Sequence, residues 1–485
     1  MATTASPEIA EPEAGNVSKY VEPDAAQYTR FPPRRKQLIT FVLSICGLLT
    51  PVGSTTILAA IPEIASTYNT TGTVINISNA VYLVCMGISP SIWGPLSYIY
   101  GRRPNCIVSS VLFTAFSIGT ALAPNLASFF IFRLLTALFG TAFFVVGTAA
   151  IGDIYAPTER GTSLSWFLSG TQIGPCFAPL LGGAIVNSTS SWRGIFWMQT
   201  GIGGLATILV FLCLPETIPS RAIDEMHHLS TAKRTTRFLY LLNPARVTVL
   251  LLSNPNLWMV GLASSALIFN MYSLLTPIRY ILNIRFSLTS PLQSGFFFLA
   301  PGFGYLLGTC FGGRLSDLVV TRYIKKRGRR LPEDRLRAAT LFLGGVSPVC
   351  MLVYGWTVEK RVGGIALPVI VMFIQGVSQL LSFPSLNAYC VDVAEDRSQS
   401  SMVVAGNYQI RYAFAAAGSI ACLPGTEAIG VGWFSAISAI FLFVAMVLVQ
   451  FVILYGERWR VGKGSRGGKQ AADFCLSAAK PHEGE

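Results

Sequence analysis

Two arginines lie within long apolar stretches of the sequence, where a charged side chain is costly. Arg411 interrupts the apolar stretch 398–426, and Arg133 lies near the start of the apolar segment 128–150. Ionisable side chains at such positions usually line an internal cavity. The pattern therefore predicts a positively charged chamber. A structural contact between helices is the alternative for both residues, and Arg133 is shallow enough to reach the membrane interface instead.

Uncharged polar side chains occur in the same apolar segments. Asn407 precedes Arg411 by one helical turn, and Gln375 and Gln379 share one helix face. For each of these side chains, hydrogen bonding between helices is the competing interpretation. The residues predicted to bind a small ligand are Arg411, Arg133, Asn407, Gln172, Gln375, Gln379, Asn270, Tyr272 and Tyr82.

Acidic side chains are absent from the middle of the apolar segments. Asp153, Glu216 and Asp317 all lie at segment ends or in the connections between segments. A buried cationic ligand would need an anionic partner, because an unpaired charge in a low dielectric is strongly unfavourable. The sequence therefore favours an anionic or neutral ligand over a lipophilic cation.

If a chain of this kind moves its ligand against a concentration gradient, the energy has to come from an ion gradient. The sequence has no Gly-x-x-x-x-Gly-Lys-Ser/Thr loop for ATP. Its three histidines, at 227, 228 and 482, lie outside the apolar segments, which excludes a histidine proton relay across them. The candidates for proton coupling are Asp153, Glu216 and Arg133.

The apolar segments are long enough to cross a membrane as helices. The 485-residue chain is 52% apolar and 12% charged, with a mean hydropathy of +0.54, whereas soluble proteins carry about 25% charged residues. A spanning helix needs about 20 mainly apolar residues. Twelve spans are predicted, at 38–62, 76–98, 105–124, 128–150, 163–186, 194–214, 255–277, 292–312, 339–357, 364–388, 401–423 and 431–455.

This composition excludes a water-soluble enzyme and a disordered scaffold. The net charge of +13 could suggest nucleic-acid binding. The basic residues, however, punctuate apolar runs and do not form a patch on a folded polar surface. No pattern for a catalytic site, a metal or a cofactor is found within the spans, so we expect neither an enzyme nor a cofactor.

The basic residues also orient the chain in the membrane. Most of the 36 basic residues fall on one side if both termini are cytoplasmic, and basic residues collect on that side of membrane proteins. We therefore expect both termini in the cytosol. The sequons at Asn69, Asn76 and Asn187 then fall outside, where they are candidates for glycosylation.

The chain divides into two halves of six spans. Gly94-Pro-Leu-Ser-Tyr98 ends the second span of the first half, and Gly313-Arg-Leu-Ser-Asp317 ends the second span of the other. A parallel repeat of six helices is typical of secondary transporters, which bind substrate near the membrane midplane between the halves. The predicted domains are a disordered cytoplasmic N-terminus (1–36), a six-helix bundle (37–214), a cytoplasmic linker (215–254), a second bundle (255–456) and a cytoplasmic tail (457–485).

Several motifs resemble one transporter family. The run from Gly94 to Pro104 resembles the loop signature of the major facilitator superfamily, and Gly170-x-x-x-Gly174-Pro175 resembles the signature of its proton-antiporter branch. Together with Arg133 and the motifs 152–160, 192–197 and 215–217, these are similar to the fungal drug:proton antiporters with twelve spans. The resemblance covers about residues 36–460. It implies an all-α membrane fold of two pseudo-symmetric six-helix bundles around a central cavity.

The resemblance also implies which residues gate the transporter. In the family the position of Tyr98 is normally an Asp that latches one conformation, whereas the second copy here keeps Asp317. We therefore expect the latch to rest on Asp317 with Arg102 and Arg103, and Tyr98 to act in gating or as an interfacial aromatic. The family uses the bend after Gly170 at the contact between halves, with generic helix packing as the alternative. The predicted gating residues are Gly94, Tyr98, Gly101, Arg102, Arg103, Gly170, Gly174, Pro175 and Asp317.

These observations predict a transporter that exports a small organic molecule by proton-linked alternating access. The cavity charge favours an organic acid or an acidic metabolite. The alternative is a broad-specificity efflux antiporter for drugs or toxins, and a remote one is a membrane sensor that does not transport. We expect a monomer in the plasma membrane, with the vacuolar membrane as the alternative, and its partners are the substrate, protons and the lipid bilayer.

Overall fold

The computed structural model describes residues 28–189, 191–218, 221–226, 231–282, 285–286, 291–394 and 397–478. Helices make up most of this described part, and it contains no strand. The first six long helices are α1 (Pro33–Thr55), α2 (Gly72–Tyr100), α3 (Arg102–Ala121), α4 (Leu126–Gly140, continued by Ala142–Ile154), α5 (Arg160–Thr189) and α6 (Arg193–Cys213). The others are α7 (Pro255–Pro277), α8 (Pro291–Arg327), α9 (Ser347–Lys360), α10 (Ala366–Val393), and α11 and α12, which are the parts of Arg397–Ala478 before and after Gly430.

The long helices match the predicted spans. Within the described ranges, ten helical segments are long and apolar enough to cross a membrane. The other two predicted spans, 163–186 and 401–423, fall within α5 and α11 and are also helical. The prediction of an all-α membrane protein is thus confirmed.

The structure adds detail at the connections. Gly430 has φ of +84°, a conformation that L side chains rarely adopt, and it separates α11 from α12. Beside it, the amide of Val431 donates a 2.9 Å hydrogen bond to Glu359. The linker predicted at 215–254 contains three short helices, Ala222–Met226, Thr231–Leu242 and Ala245–Ser253. The predicted N-terminal segment lies mostly outside the described residues, as do residues 479–485 of the tail, and α12 continues to Ala478.

The helices pack as two bundles of six. In the first bundle α1 packs on α5 and α6, and α3 packs on α4 and α6. In the second bundle α7 packs on α11 and α12, and α8 packs on α10. The two bundles meet along α2 with α11 and along α5 with α8. The helices that meet the other bundle thus include α2, α4 and α5 of the first bundle and α8, α10 and α11 of the second.

One end of the assembly is rich in paired charges. We call it the basic end; α1 begins there, and Arg102, Arg160 and Arg335 are buried there. Lys36 of α1 lies over the ring of Tyr155 at this end, which shows that the start of α1 and the end of α4 are at the same level. The sequence analysis predicts that the basic end faces the cytosol.

Small residues allow the two bundles to approach closely. A Cβ atom at Gly94 of α2 would lie 2.8 Å from Cβ of Ala405 on α11. A Cβ atom at Gly313 of α8 would overlap with the backbone of Gly161 and Thr162 on α5. Gly94 and Gly313 occupy the same position in the two copies of the repeated motif. The repeat therefore serves the contact between bundles in both halves.

We predict that Gly313→Ala disrupts closure of the basic end, whereas Gly204→Ala does not. Alanine favours a helix over glycine by about 0.5–1 kcal/mol, and a Cβ atom at Gly204 of α6 meets nothing within 4 Å. At Gly313 the same methyl group requires α5 and α8 to separate. Thermal unfolding of both purified variants and cysteine accessibility at the basic end measure the difference. Equal behaviour of the two variants would contradict this role for the α5–α8 contact.

Candidate functional site

The nine residues predicted to bind a ligand are all buried, with at most 7% of each side chain exposed. They lie on helices of both bundles: Tyr82 on α2, Arg133 on α4, Gln172 on α5, Asn270 and Tyr272 on α7, Gln375 and Gln379 on α10, and Asn407 and Arg411 on α11. The structure thus collects them around the centre, yet their contacts divide them into different groups.

Arg411 is a buried cation with neutral partners. Only 2% of the residue is exposed. One guanidinium nitrogen, Nη2, donates a 2.9 Å hydrogen bond to Oδ1 of Asn387, and the group lies 4.6 Å from the ring centre of Phe383 and 4.4 Å from that of Tyr408. No carboxylate forms an ion pair with it in the described part of the chain. Its Nε atom is buried without a hydrogen-bond partner.

Three buried amide side chains on α10 and α11 also carry unpaired polar atoms. Tyr305 donates a 3.2 Å hydrogen bond to Oε1 of Gln379, which leaves Nε2 of Gln379 without a partner. Oε1 of Gln375 and Oδ1 of Asn407 are likewise buried and unpaired. An unsatisfied buried group costs about 1–3 kcal/mol. Such atoms mark the positions at which a bound molecule or water would gain most.

Asn270 belongs to a structural group within the second bundle. Its Nδ2 donates a 3.0 Å hydrogen bond to Ser438 of α12, and its Oδ1 accepts a hydrogen bond from Gln375 of α10. Both polar atoms of Asn270 are therefore used in joining α7 to α10 and α12. This geometry matches the alternative interpretation of hydrogen bonding between helices.

Gln172, Tyr82 and Tyr272 lie where the bundles face each other. Nε2 of Gln172 on α5 is 3.9 Å from Sδ of Met271 on α7, and this contact crosses between the bundles. The hydroxyl of Tyr82 donates a 3.3 Å hydrogen bond to the carbonyl of Thr50. Tyr82 belongs to α2 of the first bundle and Tyr272 to α7 of the second.

Arg133 is enclosed in the first bundle. Only 2% of the residue is exposed, and Nη2 donates a 3.1 Å hydrogen bond to Oδ1 of Asn79. Three rings surround its guanidinium, those of Tyr82, Phe129 and Phe196, at 5.0, 5.8 and 6.0 Å. The alternative that Arg133 extends to the membrane interface is therefore wrong in this conformation. It lies behind Tyr82 and, like Arg411, has no carboxylate partner among the residues described.

The structure adds residues that the sequence analysis did not select. Asn387 and Phe383 hold Arg411 from α10, and Tyr408 and Tyr412 stack on Phe144 of the first bundle at 5.4 and 5.7 Å. Positions 375, 379, 383 and 387 are four residues apart and share one face of α10. That spacing is a signal by which Phe383 and Asn387 could have been found from the sequence.

Asp317 joins the second bundle to the start of α5. Its carboxylate accepts hydrogen bonds from the amides of Gly161 and Thr162, at 2.9 and 2.8 Å, and from the Thr162 hydroxyl at 2.8 Å. An anion is stabilised at a helix N-terminus by the free amides and the helix dipole. Arg335 also donates to Asp317, at 3.2 Å. The position of Asp317 thus lets it hold the two bundles together.

Asp392 forms the second part of this contact. It pairs with Arg160 of the first bundle and with Arg330 and Arg335 of the second, the latter two at 3.0 Å. Arg335 also donates to the carbonyl of Pro157 across the boundary. We call Asp317, Asp392, Arg160, Arg330 and Arg335 the basic-end latch. It closes the basic end in this conformation.

Arg102 and Arg103 lie apart from the basic-end latch, contrary to expectation. Arg102 forms a 3.1 Å ion pair with Asp153 inside the first bundle and donates to Ser97. The backbone amides of Arg102 and Arg103 donate to Glu216, at 2.9 and 3.3 Å. These hydrogen bonds order the turn between α2 and α3, where the chain reverses its direction. The turn faces Glu216, not Asp317. The arginines that contact Asp317 and Asp392 were not selected from the sequence.

The structure also shows where the remaining predicted gating residues lie. Gly101 has φ of +102° and contacts the Glu216 carboxylate, so a side chain there would be strained and would collide. Gly170 and Gly174 face Ser44 and Pro51 of α1, within their own bundle. The expectation that this face meets the other half is therefore not met. Pro175 is buried on α5, and Tyr98 is half-buried against the core.

The three sequons lie at the end opposite the basic end. Asn69 is exposed in the turn before α2, whereas Asn76 is half-buried inside α2 and Asn187 is exposed in the last turns of α5. Their glycosylation stays a prediction.

Comparison with known proteins agrees with this architecture. Residues 43–419 match the sequence profile of the Major Facilitator Superfamily. The chain is 27% identical over 457 residues to the efflux pump radE of Floropilus chiversii, a match that covers 90% of this chain and 83% of that protein. It is 37% identical over 194 residues to the MFS antiporter QDR3 of Candida albicans, covering 40% of this chain and 27% of that protein.

A solved structure has the same fold. The human organic anion transporter MFSD10 superposes with a TM-score of 0.65 at 16% identity, and the match covers 86% of this chain and 100% of that one. At this identity the likeness concerns the fold alone. It agrees with two six-helix bundles around a central cavity.

We predict that Asp392→Asn lowers stability much more than Glu457→Gln. The first change leaves three arginines at a buried site without their shared carboxylate, and breaking a buried pair costs about 3–5 kcal/mol. The second removes a pair with Arg329 whose side chains are 38% and 62% exposed, where the expected loss is below about 1 kcal/mol. Thermal unfolding in detergent compares the two variants. Similar losses would show that Asp392 is not the centre of the basic-end latch.

Proposed function

Since the chain belongs to the Major Facilitator Superfamily of transporters, we propose that it exports a small organic acid or acidic metabolite through the cavity between its two bundles. The observation that supports this substrate class is the environment of Arg411. It is buried, and its partners in the described chain are an amide and two rings, not a carboxylate. A substrate carboxylate would supply the missing counter-charge.

The surroundings of Arg411 suit recognition of a small polar anion. Nε of Arg411 is free to donate to a carboxylate, and a hydrogen bond to a charged group contributes about 1.5–3 kcal/mol. Nε2 of Gln379 is a second unpaired donor. Tyr82 and Gln172 of the first bundle and Tyr272 of the second supply further hydroxyl and amide groups. We propose these residues, with Asn407, as the substrate contacts.

The basic-end latch provides the gate in this proposal. In alternating access the bundles rock around the central site so that one end closes while the other opens. Opening the basic end requires Asp317 to leave the amides of α5 and Asp392 to leave Arg160. Polar groups that separate there would be hydrated by entering water, so the latch is reversible. We propose that the closed basic end corresponds to the state in which substrate leaves for the other side.

We propose that an inward proton gradient drives export, with Asp153 as the coupling residue. Asp153 is buried in the first bundle, where it pairs with Arg102 and accepts from Thr217 at 3.4 Å. Glu216, the other candidate, holds the turn between α2 and α3. Similarity to a protein named an antiporter supports exchange of substrate against an ion. The proposed location is the plasma membrane, with both termini in the cytosol and the protein acting as a monomer.

Broad-specificity efflux of drugs or toxins is the second candidate. The chain is similar along most of its length to a protein named an efflux pump. The rings of Phe144, Phe383, Tyr408 and Tyr412 would pack against aromatic or lipophilic molecules of many shapes. A substrate panel separates the candidates, because only an acid exporter should depend on the charge of Arg411.

We predict that Arg411→Gln lowers kcat/KM for carboxylic acids at least about tenfold, because the variant loses one charge-assisted hydrogen bond to the substrate. The assay measures uptake into inside-out vesicles with an imposed pH gradient. Its substrates are labelled mono- and dicarboxylic acids and lipophilic cations. Arg322→Gln is the control, since Arg322 is exposed on α8 at the basic end. If Arg411→Gln transports every acid as well as the control does, the acid proposal is wrong. If the wild type transports lipophilic cations as well as acids and Arg411→Gln transports both as well as the control does, the broad efflux function is favoured.

We predict that Asp153→Asn abolishes uphill accumulation but retains downhill substrate exchange, because the variant cannot release a proton. Glu216→Gln should still accumulate substrate when the vesicle lumen is acidic, and a protonophore should prevent this. Asp153→Glu is the rescue variant, since it restores the carboxyl group beside Arg102. Full accumulation of substrate by Asp153→Asn would show that Asp153 is not the coupling residue. The protonophore experiment would then decide separately whether transport is coupled to protons.

A further inference from the structure

A second cavity lies at the basic end, apart from the central site. Its volume is about 1040 Å³. One face of α1, the turn after α4 with the start of α5, and one face of α8 form its walls. The residues on α1 are Pro33, Lys36, Gln37, Thr40, Phe41 and Ser44, and those on α8 are Arg314, Asp317, Leu318 and Thr321. Their spacing of three and four residues places each set on one side of its helix.

Two basic side chains on the wall of this cavity, Arg314 and Lys36, have no carboxylate partner among the described residues. Arg314 is exposed, and neither Arg314 nor Lys36 forms an ion pair with any residue that the structure describes; the Lys36 ammonium lies 5.4 Å from the ring centre of Tyr155. Asp317 also lines the cavity, but its oxygens are already bound to α5 and Arg335. Glu159 is the second acidic side chain on the wall and is exposed. Two free basic groups thus face one free carboxylate.

The side of the cavity is apolar and open towards the surface that the bilayer surrounds. Phe41, Trp166 and Leu318 line it, and 60%, 50% and 66% of these residues are exposed. Arg314 lies in a helix that is apolar enough to span the membrane, one turn before Asp317. An exposed arginine at such a position is costly unless it reaches an anion. The bilayer itself supplies one, the phosphate of a lipid headgroup.

We propose that this cavity binds one anionic phospholipid from the leaflet at the basic end. Arg314 and Lys36 would pair with the headgroup phosphate, and the acyl chains would lie along Phe41, Trp166 and Leu318. A free phosphate would use only the charged part of the cavity. The combination of two unpaired basic groups with an exposed apolar opening fits a molecule that has both a charged head and a chain.

Such a lipid would also stabilise the closed basic end. The cavity is formed by α1 and α5 of the first bundle and by α8 of the second. Thr162 and Asp317, which join the bundles, are part of its wall. A headgroup held by Lys36 on one bundle and Arg314 on the other is a bridge across the same boundary. When the basic end opens and α8 moves away from α5, this bridge must break, so binding favours closure.

Binding is tested on the purified full-length protein with Lys36→Gln, Arg314→Gln and the double variant, and with Lys326→Gln as control. Lys326 is exposed at the basic end but does not line the cavity. Native mass spectrometry with phosphatidylserine and phosphatidylcholine measures affinity. Each basic residue near anionic lipid contributes about fivefold. We expect each single variant to bind phosphatidylserine about fivefold more weakly, and the control to bind like the wild type.

A second measurement locates the lipid. Phosphatidylserine brominated on its acyl chains should quench the part of the fluorescence that Trp166→Phe removes. Soluble glycerophosphoserine and inorganic phosphate should raise the melting temperature much less than the intact lipid. Equal binding of both lipids, equal affinity of Lys326→Gln and the cavity variants, no quenching of Trp166, or equal stabilisation by glycerophosphoserine would each overturn the proposal. None of these readouts requires transport, so they are independent of the proposed function.

Discussion

The arrangement of buried charge is the constraint on which this structure depends. At the basic end, buried arginines have carboxylate partners: Arg160 and Arg335 pair with Asp392, and Arg102 pairs with Asp153. In the centre, Arg133 and Arg411 have amide, carbonyl and ring partners instead. Desolvating an ion costs several kcal/mol even after the protein relaxes. This difference underlies the proposal that Arg411 pairs with a substrate carboxylate, whereas Arg133 is enclosed within the first bundle.

The helices and their number could be predicted from the sequence because each span must satisfy its own backbone hydrogen bonds in the bilayer. The apolar segments therefore become helices almost irrespective of their neighbours. Helix ends were harder to predict. The helix that begins at Pro291 continues to Arg327, well past the predicted end at 312. Hydropathy does not mark this end, because the last turns are polar and largely exposed. The separation at Gly430 depends on one backbone angle.

The contact partners of the functional residues were harder to predict from the sequence, because a periodic pattern identifies the face of a helix but not the element that covers that face. Gly170 and Gly174 share a face, as predicted, but α1 covers that face and α8 does not. Asp317 was selected from the repeated motif, whereas Arg335 lies in a connection between helices and shows no periodicity. Burial of Arg411 followed from the sequence, and its contact with Asn387 required the packing of α10 on α11.

The basic-end latch and the central site would have different requirements in the proposed cycle, and the two regions lie at different levels of the molecule. In the proposed transport cycle the latch breaks reversibly, and its groups lie near an end, where water would replace their partners as the bundles part. In the same proposal the centre exchanges its occupant, and the charge of Arg411 lies on α11 beside rings that contact the first bundle. Tyr408 contacts Arg411 and also Thr148 of α4, at 3.3 Å. Tyr408 therefore links Arg411 to the boundary between the bundles, the boundary that would move in the proposed cycle.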